Sequence, residues 1–153
     1  MRIHILQREQ RLRGAPAAVF PFFADARNLE AITPPLLRFR VVTPDPIEMR
    51  AGTLIQYRLR LHGVGVSWMT SIQAWDPPHR FVDVQLRGPY ALWHHTHEFA
   101  PDPHDGDGTV MRDTIRYALP FGPLGTLADR LLVRRDLAAI LDFRRDHVPR
   151  LLG

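Results

Sequence analysis

The sequence predicts an α+β fold in which a curved antiparallel sheet packs around one long C-terminal helix, with two short helices after the first strand. Three observations predict it. Between residues 36 and 119, short runs of alternating apolar and polar residues are separated by Gly, Pro and Asp turns. From Pro123 to Val148 the pattern changes to helical spacing. A sheet with one apolar face must be covered, and this helix is the only element large enough to do it. At 153 residues, 45% hydrophobic and 24% charged, the chain suits a single domain (1–153) that buries a real core.

Met1–Arg13 alternates Ile3, Ile5 and Gln7 against charges and reads as the first strand. Pro16 fits the first turn of a helix over Ala17–Ala24, whose regularity Pro21 limits. Asn28–Ile32 is a second short helix, stopped by Pro34-Pro35. Leu36–Val42 is read as a strand closed by Pro44-Asp45-Pro46. Gly52–Leu61 and Val64–Trp75 form a hairpin about His62-Gly63. Arg80–Arg87 and Ala91–Phe99 flank Gly88-Pro89, and Thr109–Leu119 is the last strand. Pro101–Gly108 carries turn residues throughout and is expected to be a mobile hairpin tip. In the final helix, Leu124, Leu127, Ala128 and Leu131 form one apolar stripe. Leu137, Ile140, Leu141 and Phe143 form another, rotated around the axis. Either the helix bends near Val133–Asp136 or both of its sides are covered.

Alternation assigns the faces of the strands. Tyr57, Trp68 and Thr70 fall on apolar, inward faces, and Asp113 and Tyr117 share theirs with Met111 and Ile115. The segment Trp93–Phe99 places Trp93, His95, His97 and Phe99 together, with His94 opposite. Two imidazoles between two aromatics on a buried face require a polar network or a pocket. Strand 80–87 is ambiguous: Val82, Val84 and Leu86 share one face, and Phe81, Asp83, Gln85 and Arg87 the other.

Composition excludes several functions. There is no cysteine, hence no disulfide or thiol chemistry. The only serines, Ser67 and Ser71, lie in no nucleophile motif, and no glycine-rich phosphate loop occurs. The net charge of +4 comes from arginines spread along the chain. Arg58, Arg60, Arg112 and Arg116 therefore read as a solvated sheet face with cross-strand ion pairs, and no nucleic-acid partner is expected. No secretory signal and no apolar run long enough for membrane insertion is visible, so the expected location is cytoplasmic. His95-x-His97 with Asp83 or Asp113 supplies three possible metal ligands. Such a His pair arises readily by chance among eight His, so no metal and no cofactor is assigned. The acidic stretch Asp102–Asp107 lacks EF-hand spacing and reads as a solvated turn.

Three local patterns carry a family likeness: Pro16–Phe20, Trp75-Asp76-Pro77-Pro78-His79-Arg80-Phe81, and the Tyr117–Gly125 junction Tyr-x-Leu-Pro-x-Gly-Pro-Leu-Gly. With these and the element order, the chain resembles the START/Bet v 1-like (SRPBCC) superfamily, in its polyketide cyclase/dehydrase-like branch. The resemblance implies a seven-stranded helix-grip fold with a cavity between sheet and C-terminal helix, and it turns Asp83 and Gln85 toward that cavity. The expected ligand-binding set is Tyr57, Trp68, Thr70, Asp83, Gln85, Trp93, His95, His97, Phe99, Asp113 and Tyr117. The expected partner is a small hydrophobic molecule: aromatic, polyketide-like or lipid-like. One alternative is an aromatase/cyclase or dehydratase using His95, His97, Asp83 and Asp113 as acid and base. Another is an interaction module with a filled core.

Overall fold

The computed structural model describes residues 1–152. The elements are β1 (His4–Arg13), α1 (Pro16–Phe23), α2 (Asn28–Ala31), β2 (Arg40–Val41), β3 (Leu54–Leu61), β4 (Val64–Asp76), β5 (Arg80–Arg87), β6 (Leu92–Asp102) and β7 (Asp105–Ala118), followed by a C-terminal helical region. That region comprises α3 (Pro123–Ala128), a π-helical turn (Asp129–Val133) and α4 (Arg134–Leu152). The seven strands form one antiparallel sheet in the order β1-β7-β6-β5-β4-β3-β2. Two register shifts in β4, at Met69/Thr70 and Ile72/Ala74, add the bends that help curl it. This is the helix-grip arrangement expected of the sequence.

The core is built as alternation requires. At one end, Phe20 and Phe23 of α1 pack on Phe81, Phe99, Met111 and Val148. At the other, Val41, Ile55, Tyr57 and Ile72 form a second cluster. Leu137 and Leu141 of α4 close on Ile115 and Tyr117. Among the described residues, no helix is long and apolar enough to cross a membrane.

Three elements differ from expectation. The strand read over 36–42 is a 3₁₀ turn, Pro35–Leu37, followed by the two-residue β2. Pro34 and Pro35 cannot donate to a ladder, and Arg38 turns left-handed at φ 46°, so pairing begins only at Arg40. The hairpin tip read over 101–108 is there but shorter, because β6 runs to Asp102 and β7 starts at Asp105, which leaves the turn at Pro103-His104. There the buried Asp102 accepts the His104 backbone N–H at 2.9 Å, a local turn that shortens the loop. The leucine stripe of α3 faces outward: Leu124, Leu127 and Leu131 are exposed, while Gly125 and Asp129 are buried. A Cβ on Gly125 would lie 2.2 Å from the Pro120 carbonyl oxygen, so only glycine permits this close seating of α3 on the strand exit. The π turn then accounts for the rotation between the two stripes, and α4 presents Leu137, Leu141 and Val148 inward.

Candidate functional site

A cavity of about 140 Å³ lies between the sheet and the helices. Its apolar walls come from the sheet (Ile55, Leu59, Ile72, Ile115), from α4 (Leu137, Ile140, Leu141) and from the segment between α1 and β3 (Leu29, Leu37, Phe39, Met49). Aromatic side chains dominate one side. Trp68 packs edge-on against Trp93 at 5.0 Å, and Tyr90 lies 4.9 Å from Trp93 and 5.4 Å from Trp68.

The floor is polar and comes from three adjacent strands. Asp83 on β5 is in register with His95 on β6, and His97 on β6 is in register with Asp113 on β7. The hydrogen bonds run diagonally instead. His97 Nε2 lies 2.6 Å from Asp83 Oδ2, and His95 Nε2 lies 2.8 Å from Asp113 Oδ1. The two imidazoles stack at 3.7 Å, and His97 stacks on Phe81 at 4.0 Å. Each carboxylate therefore reaches both rings. Asp83 Oδ2 is also 3.9 Å from His95 Nδ1, and Asp113 Oδ1 is 3.2 Å from His97 Nδ1. That last approach lacks hydrogen-bond alignment, and His97 Nδ1 is buried with no hydrogen-bond partner. Trp93 donates its indole N–H to Asp83 Oδ1 at 3.3 Å.

These contacts set the charge states. Burial alone would raise both carboxyl groups. Hydrogen bonds from the imidazoles and their charge more than offset this, and for Asp83 the Arg144 guanidinium adds to it, so both carboxyls titrate below the ordinary carboxylate range. Burial and the neighbouring His97 charge push His95 down. His97 loses by burial too, but the two carboxylates beside it, Asp113 at 3.2 Å and the hydrogen-bonded Asp83, outweigh that and raise it. The floor at neutral pH thus holds two carboxylates, one imidazole inclined to be protonated and one inclined to be neutral. Tyr57 is held up by burial and by the Asp83 charge, and stays a neutral phenol.

Seven of the sequence-predicted residues line the cavity: Tyr57, Trp68, Thr70, Asp83, Trp93, His95 and His97. Trp68 Nε1 is satisfied by Thr70 Oγ1 at 3.0 Å. The ambiguous strand β5 turns Phe81 and Asp83 inward and leaves Leu86 exposed. Four expected residues do not line the cavity. Gln85 bonds back to the Tyr90 backbone, accepting its N–H at 3.0 Å and donating to its carbonyl at 2.8 Å, so it clamps the β5–β6 turn. Phe99 is consumed by packing against Phe20 and Phe23. Asp113 sits beneath the imidazoles, away from the cavity side. Tyr117 points to Asp129 and joins a separate cluster.

Sequence reasoning missed Tyr90 and Arg144, both of which line the cavity. Arg144 Nε is buried and has no hydrogen-bond partner. Its signal was present: Leu137, Leu141, Arg144 and Val148 recur at helical spacing, which puts an arginine on the buried stripe. Asp83, His95 and His97 each offer a metal-ligand atom within 4.8 Å of the others.

Sheet, gripped helix, intervening cavity and polar floor together define the class of architecture, the helix-grip fold of START and Bet v 1-like proteins. Solved structures with the same fold cover nearly the whole chain. The chain is similar to the protein TTHA0849 from Thermus thermophilus, at 19% identity and TM-score 0.72 over 98% of this chain and 100% of that one. It is similar to the Zhui aromatase/cyclase from Streptomyces sp. R1128, at 13% identity and TM-score 0.73 over 99% and 97%. It is also similar to a START superfamily protein from Mycobacterium smegmatis, at 12% identity and TM-score 0.66 over 97% and 99%. No family model and no curated protein matches the chain. At these identities the likeness is one of fold.

Proposed function

We propose that this protein binds a small, ring-containing hydrophobic molecule in the cavity between sheet and C-terminal helix, with a polar group of that molecule resting on Asp83, His95 and His97. The observation that carries the reading is the cavity itself: apolar walls, a cluster of Trp68, Tyr90 and Trp93, and one convergent polar floor. Size narrows the ligand. A protein cavity of about 150 Å³ holds benzene, whereas pockets for drug-sized molecules run to roughly 300–1,000 Å³. A volume of about 140 Å³ favours a single ring over a folded polyketide or a long acyl chain. An interaction module with a filled core does not account for this space.

Trp68 and Trp93 provide the assay. Titration with p-cresol, indole and a medium-chain fatty acid, followed by tryptophan fluorescence, should show saturable binding of the ring compounds and weaker or no response to the acyl chain. No saturable response to any of the three would overturn the reading.

Acid–base catalysis is a second reading, favoured by the cavity-facing His97–Asp83 pair at 2.6 Å. The likeness to an aromatase/cyclase fold is compatible with it. A binder keeps its ligand with altered affinity in His97→Ala. A cyclase or dehydratase loses turnover there while still binding product.

A further inference from the structure

We infer that the cavity floor is a divalent metal site in which Asp83 Oδ2, His95 Nδ1 and His97 Nε2 are the ligands and Asp113 holds both imidazoles from behind. The sequence spacing alone assigned no metal here, because a His-x-His pair has no direction. The structure supplies the direction.

The four atoms that flank the stacked imidazoles divide into two sides. On one side, His95 Nδ1 and His97 Nε2 both face Asp83 Oδ2, at 3.9 and 2.6 Å. On the other, His95 Nε2 and His97 Nδ1 both face Asp113 Oδ1, at 2.8 and 3.2 Å. Asp83, His95 and His97 line the cavity, and Asp113 does not. A metal-ligating imidazole characteristically donates its other ring N–H to a carboxylate, which fixes its tautomer and orientation. Asp113 stands where one carboxylate serves both rings at once. His97 Nδ1, buried and unpartnered, would gain its acceptor by a small rotation toward Asp113.

A divalent ion would take the place of the His97 proton, leaving two carboxylates and two neutral imidazoles around it with the single guanidinium of Arg144 nearby. A ligand set of two imidazoles and one carboxylate, with no thiolate in the chain, suits zinc or ferrous iron rather than calcium or cuprous copper. Metal–ligand bonds of about 2.0–2.2 Å require the His97–Asp83 pair to open by somewhat under 1 Å. The remaining coordination positions face the cavity, where a donor atom of a bound molecule would complete the shell. Binding of the ion does not depend on that molecule, so this inference stands or falls apart from the ligand reading.

The test is titration of the chelator-treated full chain with Co²⁺, read by its visible absorption. The expected result is one equivalent bound, with bands of four- or five-coordinate intensity that Zn²⁺ removes. His95→Gln and His97→Gln should each abolish the bands, while Asp113→Asn should weaken Co²⁺ affinity by about 10–100-fold. Circular dichroism identifies which variants fold. If a glutamine variant does not, broadening of the His95 and His97 imidazole NMR signals by Co²⁺ in the unaltered protein decides instead. Absence of the bands, bands that survive both glutamine variants, or Co²⁺ broadening centred on His62 or His147 would overturn the assignment. Aromatic binding by the metal-free protein, measured separately, reports on the ligand reading alone.

Discussion

Two buried polar clusters sit in this sheet, built from the same residue types and completed in different ways. One joins His4 on β1, Tyr117 on β7 and Asp129 in the π turn. Tyr117 donates to Asp129 at 2.6 Å, His4 Nδ1 lies 3.3 Å from Asp129, and His4 stacks on Tyr117 at 5.1 Å. The exposed Arg134 approaches the same carboxylate at 3.6 Å. The helix supplies the acid and the sheet supplies the donors, so this cluster fastens the C-terminal helical region to the sheet edge. Only His4 touches open space, in a surface groove beside Leu119–Thr126. The other cluster, Asp83, His95, His97 and Asp113, comes wholly from the sheet, and three of its members face the cavity. It leaves His97 Nδ1 unpartnered, and Arg144 above it keeps an unpartnered Nε. A network that serves only stability closes on itself, because each orphaned buried polar group costs about 1–3 kcal/mol. The cluster left incomplete is the one that opens onto space for a ligand.

Substitutions can break this contrast. The largest effect is expected at Asp129. Asp129→Ala removes the shared partner of Tyr117 and His4, and urea unfolding should show a loss of about 3–5 kcal/mol. Aromatic affinity in the protein that remains folded should change less than twofold. Asp113→Ala should cost less, about 1–3 kcal/mol, because it strands one imidazole contact while Asp83 still holds the other ring. Unlike Asp129→Ala, it should also weaken ligand binding. His97→Ala should reduce aromatic affinity about tenfold, equivalent to about 1.4 kcal/mol, with the melting temperature moving less than in Asp113→Ala.

The smallest effect concerns pH in the chelated protein. A raised His97 contributes stability that is fully present below its unfolded value of about 6.5 and is lost as pH rises through its folded value. The depressed His95 acts oppositely, costing stability as pH falls below about 6.5 through its folded value. The depressed carboxyls contribute above about 3.9 and lose that contribution as pH falls through their folded values. The two imidazoles act in different windows, so unfolding free energy should rise with pH up to about 6.5 and decline above it. That decline should vanish in His97→Gln; its persistence would place the titrating group elsewhere.

The contrast also marks how far sequence alone reached. Strand alternation placed His95, His97, Asp113 and Tyr117 on the inner face, and the structure puts them there. Alternation specifies a face, however, and not a neighbour. Tyr117 and Asp113 share one face of β7, yet one bonds to the helix and the other to β6. The outward leucines of α3 were unreadable for a related reason. The stripe looked like a core face, and the features that reverse it are the close seating of Gly125 and the extra residue of the π turn, neither of which alters hydrophobic spacing. Gln85 was assigned by its face, whereas its amide is used up by the turn only five residues on. Arg144 was legible from helical spacing but masked by the expectation that a buried stripe is apolar.

The Asp83–His95–His97 cluster faces the cavity, while the His4–Tyr117–Asp129 cluster is engaged with itself. Histidine imidazole NMR during titration with p-cresol tests this division directly, since both clusters carry a reporter. The His95 and His97 resonances should shift saturably while those of His4 stay fixed. Saturable shifts at His4 with His95 and His97 unmoved would contradict the division.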